Sequence, residues 1–327
     1  MFKYIQQFPF PVLGKVCKRL SGSMFKLIGL LRNRNFILSL ALALGLLLGQ
    51  GARWTEKLVL PALAFVMMLS TTSVTGSLFR SPRTLLAPLL TGFMMNYFVL
   101  GGLILILSGL LLLEGPFRTG FVILAAVPPA VGVIPFTGFL DGDVEFSLIG
   151  CLACYLGAFI VTPLILFTIL GLSAGFQVKL FTTLVELIIL PLALSRILVY
   201  TSVASRIATI KGSLINWSFF LVVYTVVGLN REVFLSQPSS LIPAAAITVA
   251  TTFFLGYVIE RAGRILRVDP KRVISMVLLG TSKNAGFAAG LALTLFGKQT
   301  AISSTVQTVF MLSYVIFLDL KKRRTRS

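Results

Sequence analysis

The sequence predicts an all-α integral membrane protein with ten transmembrane helices, arranged as two inverted five-helix repeats. Composition identifies the environment, because 57% of the residues are hydrophobic and 12% are charged, whereas soluble domains have about 25% charged residues. Apolar runs of spanning length give the number of helices. Interruptions at matching places in two of these runs give the repeat.

Ten apolar runs are separated by charged residues or by Pro and Gly. They cover residues 35–52, 56–76, 84–113, 117–139, 144–170, 179–201, 213–230, 240–262, 271–296 and 299–320. We therefore predict a ten-helix transporter domain over residues 35–320, with one repeat over about 35–170 and the other over about 179–320.

The formal net charge of +19 is spread over short loops and both tails. It is therefore a signal of topology, and we expect no nucleic-acid partner. An even number of spans places both termini on one side of the bilayer. Most cations fall in the segments of that side, which predicts cytoplasmic N and C termini in the cell (inner) membrane. The cations of the predicted outer loops are few: Arg53, Lys57, Arg118, Lys179, Arg231 and Lys298.

Both ends of the chain are basic. Residues 1–34 interleave seven cations with Phe side chains, and charge throughout the stretch is atypical of a signal peptide. We predict an amphipathic segment on the cytoplasmic face of the membrane. Residues 321–327, "KKRRTRS", predict a basic cytoplasmic tail.

Two of the ten spans are interrupted, by "AAVPPAVGVIPFTG" in the fourth and "LLGTSKNAGFAAG" in the ninth. The interrupting residues are Pro128, Pro129, Gly132 and Pro135 in the fourth span and Gly280 and Gly286 in the ninth. A continuous helix cannot keep its hydrogen bonds through such prolines. Each break lies in the fourth span of its half, which is typical of inverted-repeat transporters whose broken helices cross near the bilayer midplane.

Several residues follow one another in the order and spacing of a known family. They are Pro128, Thr137, Gly142, Asp143 and Ser147 in the fourth and fifth spans, Pro191 in the sixth, and Asn284, before "AGFAAGLAL", in the ninth. In these motifs the chain resembles the bile acid:sodium symporter (BASS) family over about residues 35–320. The resemblance implies a secondary transporter of organic anions.

The resemblance also implies sodium sites that use side-chain oxygens of the fourth and ninth spans. In this chain the corresponding positions hold Val133, Ile134, Leu279 and Lys283. Each replacement removes an oxygen ligand, and Lys283 adds a competing positive charge. We therefore expect no cofactor, no metal site and no sodium coupling of the family's usual kind.

Three interpretations of Lys283 stay open. Its ammonium could take the place of sodium by donating to carbonyls freed at the breaks. It could attract the carboxylate of a substrate, together with the positive ends of the half-helices. It could instead form a salt bridge to Glu186 or extend toward the membrane surface. Because burial favours the uncharged amine, protonation of Lys283 could also replace sodium as the coupling event.

Polar residues near the breaks are the candidates for substrate binding or coupling. They are Lys283, Asn284, Thr281, Ser282, Thr137, Asn96 and Gln307. Asp143, in the acidic loop "FLDGDVEF", is predicted to cap the following helix. Cys151 and Cys154 form a C-x-x-C without a second pair, and we interpret them as small packing residues.

The predicted function is secondary transport of a small organic anion by alternating access. A sodium-independent or proton-driven efflux carrier on a related fold is an alternative, and a non-transporting membrane receptor is another. An enzyme is not expected, because the chain contains no His and few carboxylates within its spans from which to build a catalytic site.

Overall fold

The structure, a computed structural model, describes residues 29, 31, 33–72, 82–112, 115–130, 132–171, 174–236 and 238–326. Most of the predicted amphipathic segment 1–34 lies outside the described residues, as does the end of the predicted second span at 73–76. The described residues form helices and no strand, which confirms the all-α class.

In chain order, the principal helices of the described residues are α1 (Arg34–Leu47), α2 (Gly49–Thr71), α3 (Leu85–Leu111), α4 (Pro116–Ala126), α5 (Val133–Phe139), α6 (Val144–Leu170), α7 (Val178–Tyr200), α8 (Ala208–Leu229), α9 (Ile242–Ile265), α10 (Pro270–Leu279), α11 (Ala285–Leu295) and α12 (Gln299–Arg324). Helical structure begins at Pro82 before α3 and at Ala174 before α7, and it continues to Arg326 after α12.

Seven of these helices are long and apolar enough to cross a membrane: α2, α3, α6, α7, α8, α9 and α12. The three other predicted spans contain shorter helices. The first contains α1, the fourth contains α4 and α5, and the ninth contains α10 and α11. The structure therefore supports seven spanning helices, and the count of ten in two inverted repeats stays a prediction.

The predicted boundary between the first two spans is wrong. A break is predicted after residue 52, whereas α1 ends at Leu47 and helical structure resumes at Gly49. The apolar run continues through this turn, so hydropathy does not mark it. The close packing here requires glycine, because a Cβ on Gly49 would lie 2.8 Å from the Cα of Gly228 in α8.

Three long helices contain a π-helical stretch: Met94–Gly101 in α3, Val185–Ile189 in α7 and Ala250–Phe254 in α9. Stretches of this kind frequently occur at functional sites. The stretch in α3 carries Asn96 and Tyr97, and both side chains are buried.

The first predicted break separates α4 from α5. Helix α4 ends because Val127 precedes Pro128, and a residue before proline is disfavoured in the helical region. Val127 is extended, with φ −80° and ψ 156°. Helix α5 begins after Gly132. The break leaves main-chain carbonyls without helical partners, so other donors must satisfy them.

The second predicted break separates α10 from α11. Helix α10 ends at Leu279, and α11 begins after Asn284, whose Oδ1 accepts a hydrogen bond of 3.0 Å from the amide of Phe287. Helix α11, "AGFAAGLALTL", is rich in small residues and almost entirely buried. Small side chains allow neighbouring helices to approach closely inside a membrane.

The two breaks pair with each other as a short antiparallel bridge between Pro129 and Lys283. The amide of Ala130 donates to the carbonyl of Ser282 at 3.2 Å, and the amide of Asn284 donates to the carbonyl of Pro128 at 2.9 Å. Non-helical backbone thus lies in the protein interior, where its polar groups find partners.

Candidate functional site

Lys283 lies at the point where the two breaks cross, and its side chain is 0% exposed. Its ammonium donates three hydrogen bonds, to Asn96 Oδ1 at 2.9 Å, to the carbonyl of Ala125 at 2.8 Å and to the carbonyl of Val127 at 2.9 Å. The Nζ atom also lies 4.7 Å from the centroid of the Tyr97 ring. An ammonium has three donors, so every one of them is used.

Neutral oxygens alone offset the burial of this charge. A lysine at the centre of a spanning helix costs about 2.5–3.5 kcal/mol on insertion scales. A hydrogen bond to a charged group contributes about 1.5–3 kcal/mol, and cation–π contacts add to this when both groups are desolvated. Three such bonds therefore suffice to hold a charged lysine at this position.

The carbonyls from Ala125 to Pro129, at the first break, are all satisfied, and Lys283 satisfies two of them. The five carbonyls from Ala125 to Pro129 accept in turn from Lys283 Nζ, Thr162 Oγ1, Lys283 Nζ, the amide of Asn284 and the hydroxyl of Tyr155. In four of these five bonds the donor is a side chain of another segment, and in the fifth it is the main-chain amide of Asn284. The break is thus stabilised mainly by side chains from other segments.

Asn96 connects the π-helical stretch of α3 to both sides of the crossing. Its Oδ1 accepts from Lys283, and its Nδ2 donates to the carbonyl of Leu279 at 3.1 Å. Leu279 is the last residue of α10. Asn96 therefore positions the ammonium and satisfies a carbonyl of the second break at the same time.

Two interpretations of Lys283 can now be compared with its contacts. No carboxylate among the described residues contacts its ammonium, and Glu186 is exposed. A salt bridge to Glu186 does not form, and the side chain does not extend to the surface. The contacts agree with an ammonium that joins the two breaks.

The residues at the family's sodium positions do not fit a sodium ion here. The oxygens of Asn96, Ala125 and Val127 already surround the ammonium. Val133 and Leu279 are fully buried and contribute only apolar side chains. A sodium ion needs several oxygen ligands without a competing cation among them.

A cavity of about 40 Å³ lies beside the crossing, between α1, α8, α11 and α12. This volume has room for a few water molecules. Its polar lining residues are Arg34, Lys283, Asn284, Ser304, Thr305 and Thr308. Leu38, Val222 and Val226 form part of an apolar wall, and none of the described lining residues is acidic.

The remaining predicted site residues are divided between the crossing and other places. Thr281 and Ser282 lie in the second break, where Thr281 Oγ1 donates to the carbonyl of Val277 at 2.7 Å. Thr137 lies in α5, bonded to Ser147 Oγ at 2.7 Å and to the carbonyl of Val133 at 2.8 Å. Gln307 is buried in α12. Neither Thr137 nor Gln307 lines the cavity.

Sequence reasoning missed three side chains of the site: Arg34, Tyr97 and Ser304. In the sequence, Arg34 is one of the seven cations of the basic segment 1–34. Tyr97 follows Asn96 directly, and Ser304 belongs to the polar run "SST" inside an apolar span. Such a run inside a span was the signal that could have pointed to Ser304.

Comparison with known proteins identifies the family. The model of the SBF-like CPA transporter family matches residues 84–318, more than two thirds of the chain. The chain belongs to this SBF-like CPA transporter family. The family is related to the bile acid:sodium symporter family, which confirms the predicted resemblance. No curated protein matches the sequence significantly.

This SBF-like CPA transporter is a multi-pass membrane transporter. Both breaks, Lys283 and Asn96 lie inside the matched range, whereas α1 with Arg34 lies before it. The crossing thus belongs to the family domain, and one wall of the cavity comes from outside the matched range.

Proposed function

We propose that this transporter carries a small organic anion by alternating access, without sodium as the coupling ion. The observation that carries the proposal is the ammonium of Lys283, which donates to three oxygens between the two breaks. When protonated, it supplies a positive charge at the place where the related family is expected to bind sodium.

Ten spans in two inverted repeats form part of this proposal. The breaks lie in the fourth and ninth predicted spans, and π-helical stretches lie in the third and eighth, within α3 and α9. Each pair occupies corresponding places in the two halves. Corresponding irregularities of this kind support an inverted repeat, in which one bundle rocks against the other around the crossing.

The charge of the cavity supports an anionic substrate. Arg34 and Lys283 line it, and its described lining includes no Asp or Glu. Helix α11 begins at this cavity, and helix N-termini carry partial positive charge. We propose a carboxylate as the organic anion, because its two oxygens can accept hydrogen bonds from one or two donors of the cavity at a time.

Proton coupling through Lys283 is the coupling that we propose. A neutral amine can donate to two of the three surrounding oxygens, so loss of a proton would leave one oxygen without a donor. An unsatisfied buried acceptor costs about 1–3 kcal/mol. Deprotonation would therefore favour a rearrangement of the crossing, which is what a coupling event requires.

The proposed orientation places both termini in the cytoplasm and the protein in the inner membrane. The charge pattern is the basis of this orientation, and ion pairs support only the placement of the segments concerned at one end of the molecule. Lys322 pairs with Asp141 at 2.8 Å, and Lys321 pairs with Glu260 at 2.5 Å.

Flux measurements with purified protein in liposomes test the proposal. A panel of carboxylates would be offered while sodium and pH are varied independently. We expect carboxylate flux that is unchanged when choline replaces sodium and that responds to a pH gradient. Strong dependence on sodium would contradict sodium-free coupling. Flux of no panel member under any gradient would contradict transport of carboxylates.

A further inference from the structure

We infer that Arg34, rather than Lys283, receives the carboxylate of the substrate, with Ser304 and Asn284 as additional donors. The inference rests on the proposed transport of an organic anion and names the residues that would recognise it. All three side chains line the same cavity beside the crossing.

The guanidinium of Arg34 is held in place by aromatic rings. Its Cζ atom lies 4.2 Å from the centroid of the Phe136 ring and 5.7 Å from that of the Phe219 ring. Arginine stacks on aromatic faces and keeps its planar edge of N–H donors free. Phe136 belongs to α5 and Phe219 to α8, so two elements orient the group.

This guanidinium lacks the partner that a half-buried cation needs. Among the described residues Arg34 forms neither an ion pair nor a hydrogen bond, and its Nε is buried without an acceptor. Buried charges are normally paired. The planar fork of an arginine matches a carboxylate in a bidentate arrangement, so a carboxylate in the cavity would supply the missing partner.

Ser304 provides a second, independent indication of a ligand. Its side chain is 1% exposed, its Oγ has no hydrogen-bond partner among the described residues, and it lines the cavity. A buried hydroxyl without a partner costs free energy. A carboxylate oxygen would accept a hydrogen bond from this hydroxyl.

Asn284 completes the set of donors at the start of α11. Its Oδ1 is used as the cap of this helix, which leaves the amide N–H groups of the side chain for a ligand. The donors therefore come from α1, α11 and α12.

Lys283 is unsuited to the same task. Its ammonium already donates its three hydrogen bonds to Asn96 Oδ1 and to the carbonyls of Ala125 and Val127. A carboxylate could bind its ammonium only by breaking one of these bonds and leaving an oxygen of the crossing unsatisfied. Lys283 thus stabilises the two breaks, and Arg34 binds the substrate.

The cavity volume of about 40 Å³ fits a carboxylate group and not a large molecule. The same cavity is lined by Leu38, Val222 and Val226, so this apolar wall would have to move outward to take the rest of the substrate. With one unpaired guanidinium available, we infer a monocarboxylate with an apolar body.

The first test removes the charge of Arg34. Benzoate serves as the carboxylate probe and benzamide as its neutral counterpart, and two quantities are measured: the rise in unfolding temperature on adding the probe, and flux in liposomes. We expect Arg34→Gln to raise KM for carboxylates by about tenfold to a hundredfold, as for the loss of a hydrogen bond to a charged group. Arg34→Lys should recover part of the loss, and Arg206→Gln, at an exposed arginine, should behave as wild type.

The second test displaces the guanidinium without changing the charge. A Cβ on Gly132 would lie 2.8 Å and 3.1 Å from the two terminal nitrogens of Arg34 and 2.9 Å from Cε2 of Phe136, so Gly132→Ala should displace the guanidinium together with the ring that it stacks on. Its backbone angles, φ −67° and ψ −13°, suit alanine. We expect a higher KM and a small loss of stability, because the Phe136 ring must also shift. Gly212→Ala is the matched control, because no atom lies within 4 Å of its added Cβ.

The outcomes separate this inference from the proposed function. Wild-type KM values in both Arg34→Gln and Gly132→Ala would overturn the role of Arg34 while transport stands. If Arg34→Gln does not fold, the KM of Gly132→Ala alone tests the role of Arg34. If benzoate stabilises the wild type and does not stabilise Arg34→Gln, the carboxylate site is supported even when no flux is measured. The absence of flux would count against transport alone. Equal stabilisation by benzoate and benzamide would overturn the carboxylate site.

Discussion

At the scale of single residues, Lys283 explains how the chain tolerates two helix breaks in its interior. Its three protons meet three oxygens, of which two are main-chain carbonyls of the first break. The sequence shows that a cation lies in an apolar run, and a role in joining the breaks is one of the three interpretations that it leaves open. The acceptors were not predictable, because every residue type carries the same carbonyl and only the fold decides which ones meet Lys283.

Replacing Lys283 by Met tests this arrangement. The side chain keeps most of its volume but donates no hydrogen bond, so the oxygens of Asn96, Ala125 and Val127 would lose their donor. Each such buried group costs about 1–3 kcal/mol. We expect Lys283→Met to unfold at a lower temperature than the wild type and to lose flux.

Thermal unfolding in detergent and flux in liposomes measure these two effects. Lys298→Met is the control, since Lys298 is exposed, and it should change neither quantity. Full flux with an unchanged KM in Lys283→Met would show that the ammonium has no role in transport.

At the scale of elements, the positions of both breaks and their meeting were predictable, and the hydrogen bonds that pair them were not. Pro128, Pro129, Gly132 and Gly280 lie where helices stop, as predicted, whereas Pro135 lies inside α5 and Gly286 inside α11, so these two do not interrupt a helix. The bridge from Pro129 to Lys283 joins residues far apart in sequence. The turn at Leu48 escaped prediction because the apolar run continues through it.

Asn284 combines two tasks at the start of α11, and substitutions can separate them. Asn284→Asp keeps an acceptor for the amide of Phe287 and suits a helix N-terminus, so stability should hold. The new carboxylate would repel an anion in the cavity, so we expect a higher KM for carboxylates. Asn284→Ala should instead lower stability by about 1 kcal/mol, as expected for a lost cap.

Unfolding temperature and carboxylate KM, measured on the same preparations, distinguish the two tasks. Asp269→Asn is the matched control, because it exchanges the same two groups at the cap of α10, where Asp269 Oδ1 accepts from the amide of Lys271 at 2.8 Å. It should leave KM unchanged. A normal KM in Asn284→Asp would argue against an anion at this helix end.

At the scale of the whole molecule, ion pairs connect the ends of distant segments. The acidic loop "FLDGDVEF" was the one predicted inner loop without a cation. Its Asp141 pairs with Lys322 of α12, and its Asp143 lies 3.7 Å from Arg272 of α10 while its Oδ1 caps α6, as predicted. The acidic residues therefore form ion pairs with basic groups of other segments at the same end of the molecule. This explains why this predicted inner loop carries acidic residues instead of cations.

The proposed topology can be tested by labelling engineered cysteines with a membrane-impermeant maleimide. Arg206 and Lys298 are both exposed and lie in a predicted inner and a predicted outer loop. In a Cys17→Ser background, we expect Lys298→Cys to react in intact cells and Arg206→Cys to react only after permeabilisation. The native Cys151 and Cys154 are buried and can be retained. The reverse pattern would invert the topology.

The covalent attachment of the ammonium at the crossing has a consequence for the energy of transport. A sodium ion that binds with a substrate leaves with it and carries its charge across the membrane. The charge of Lys283 instead returns with the protein in every cycle. A cycle without proton movement would therefore transfer the full negative charge of the carboxylate, and the membrane potential would contribute about 2.3 kcal/mol per 100 mV to its direction. An interior-negative potential would then drive the carboxylate outward, whereas co-transport of one proton would make the cycle electroneutral.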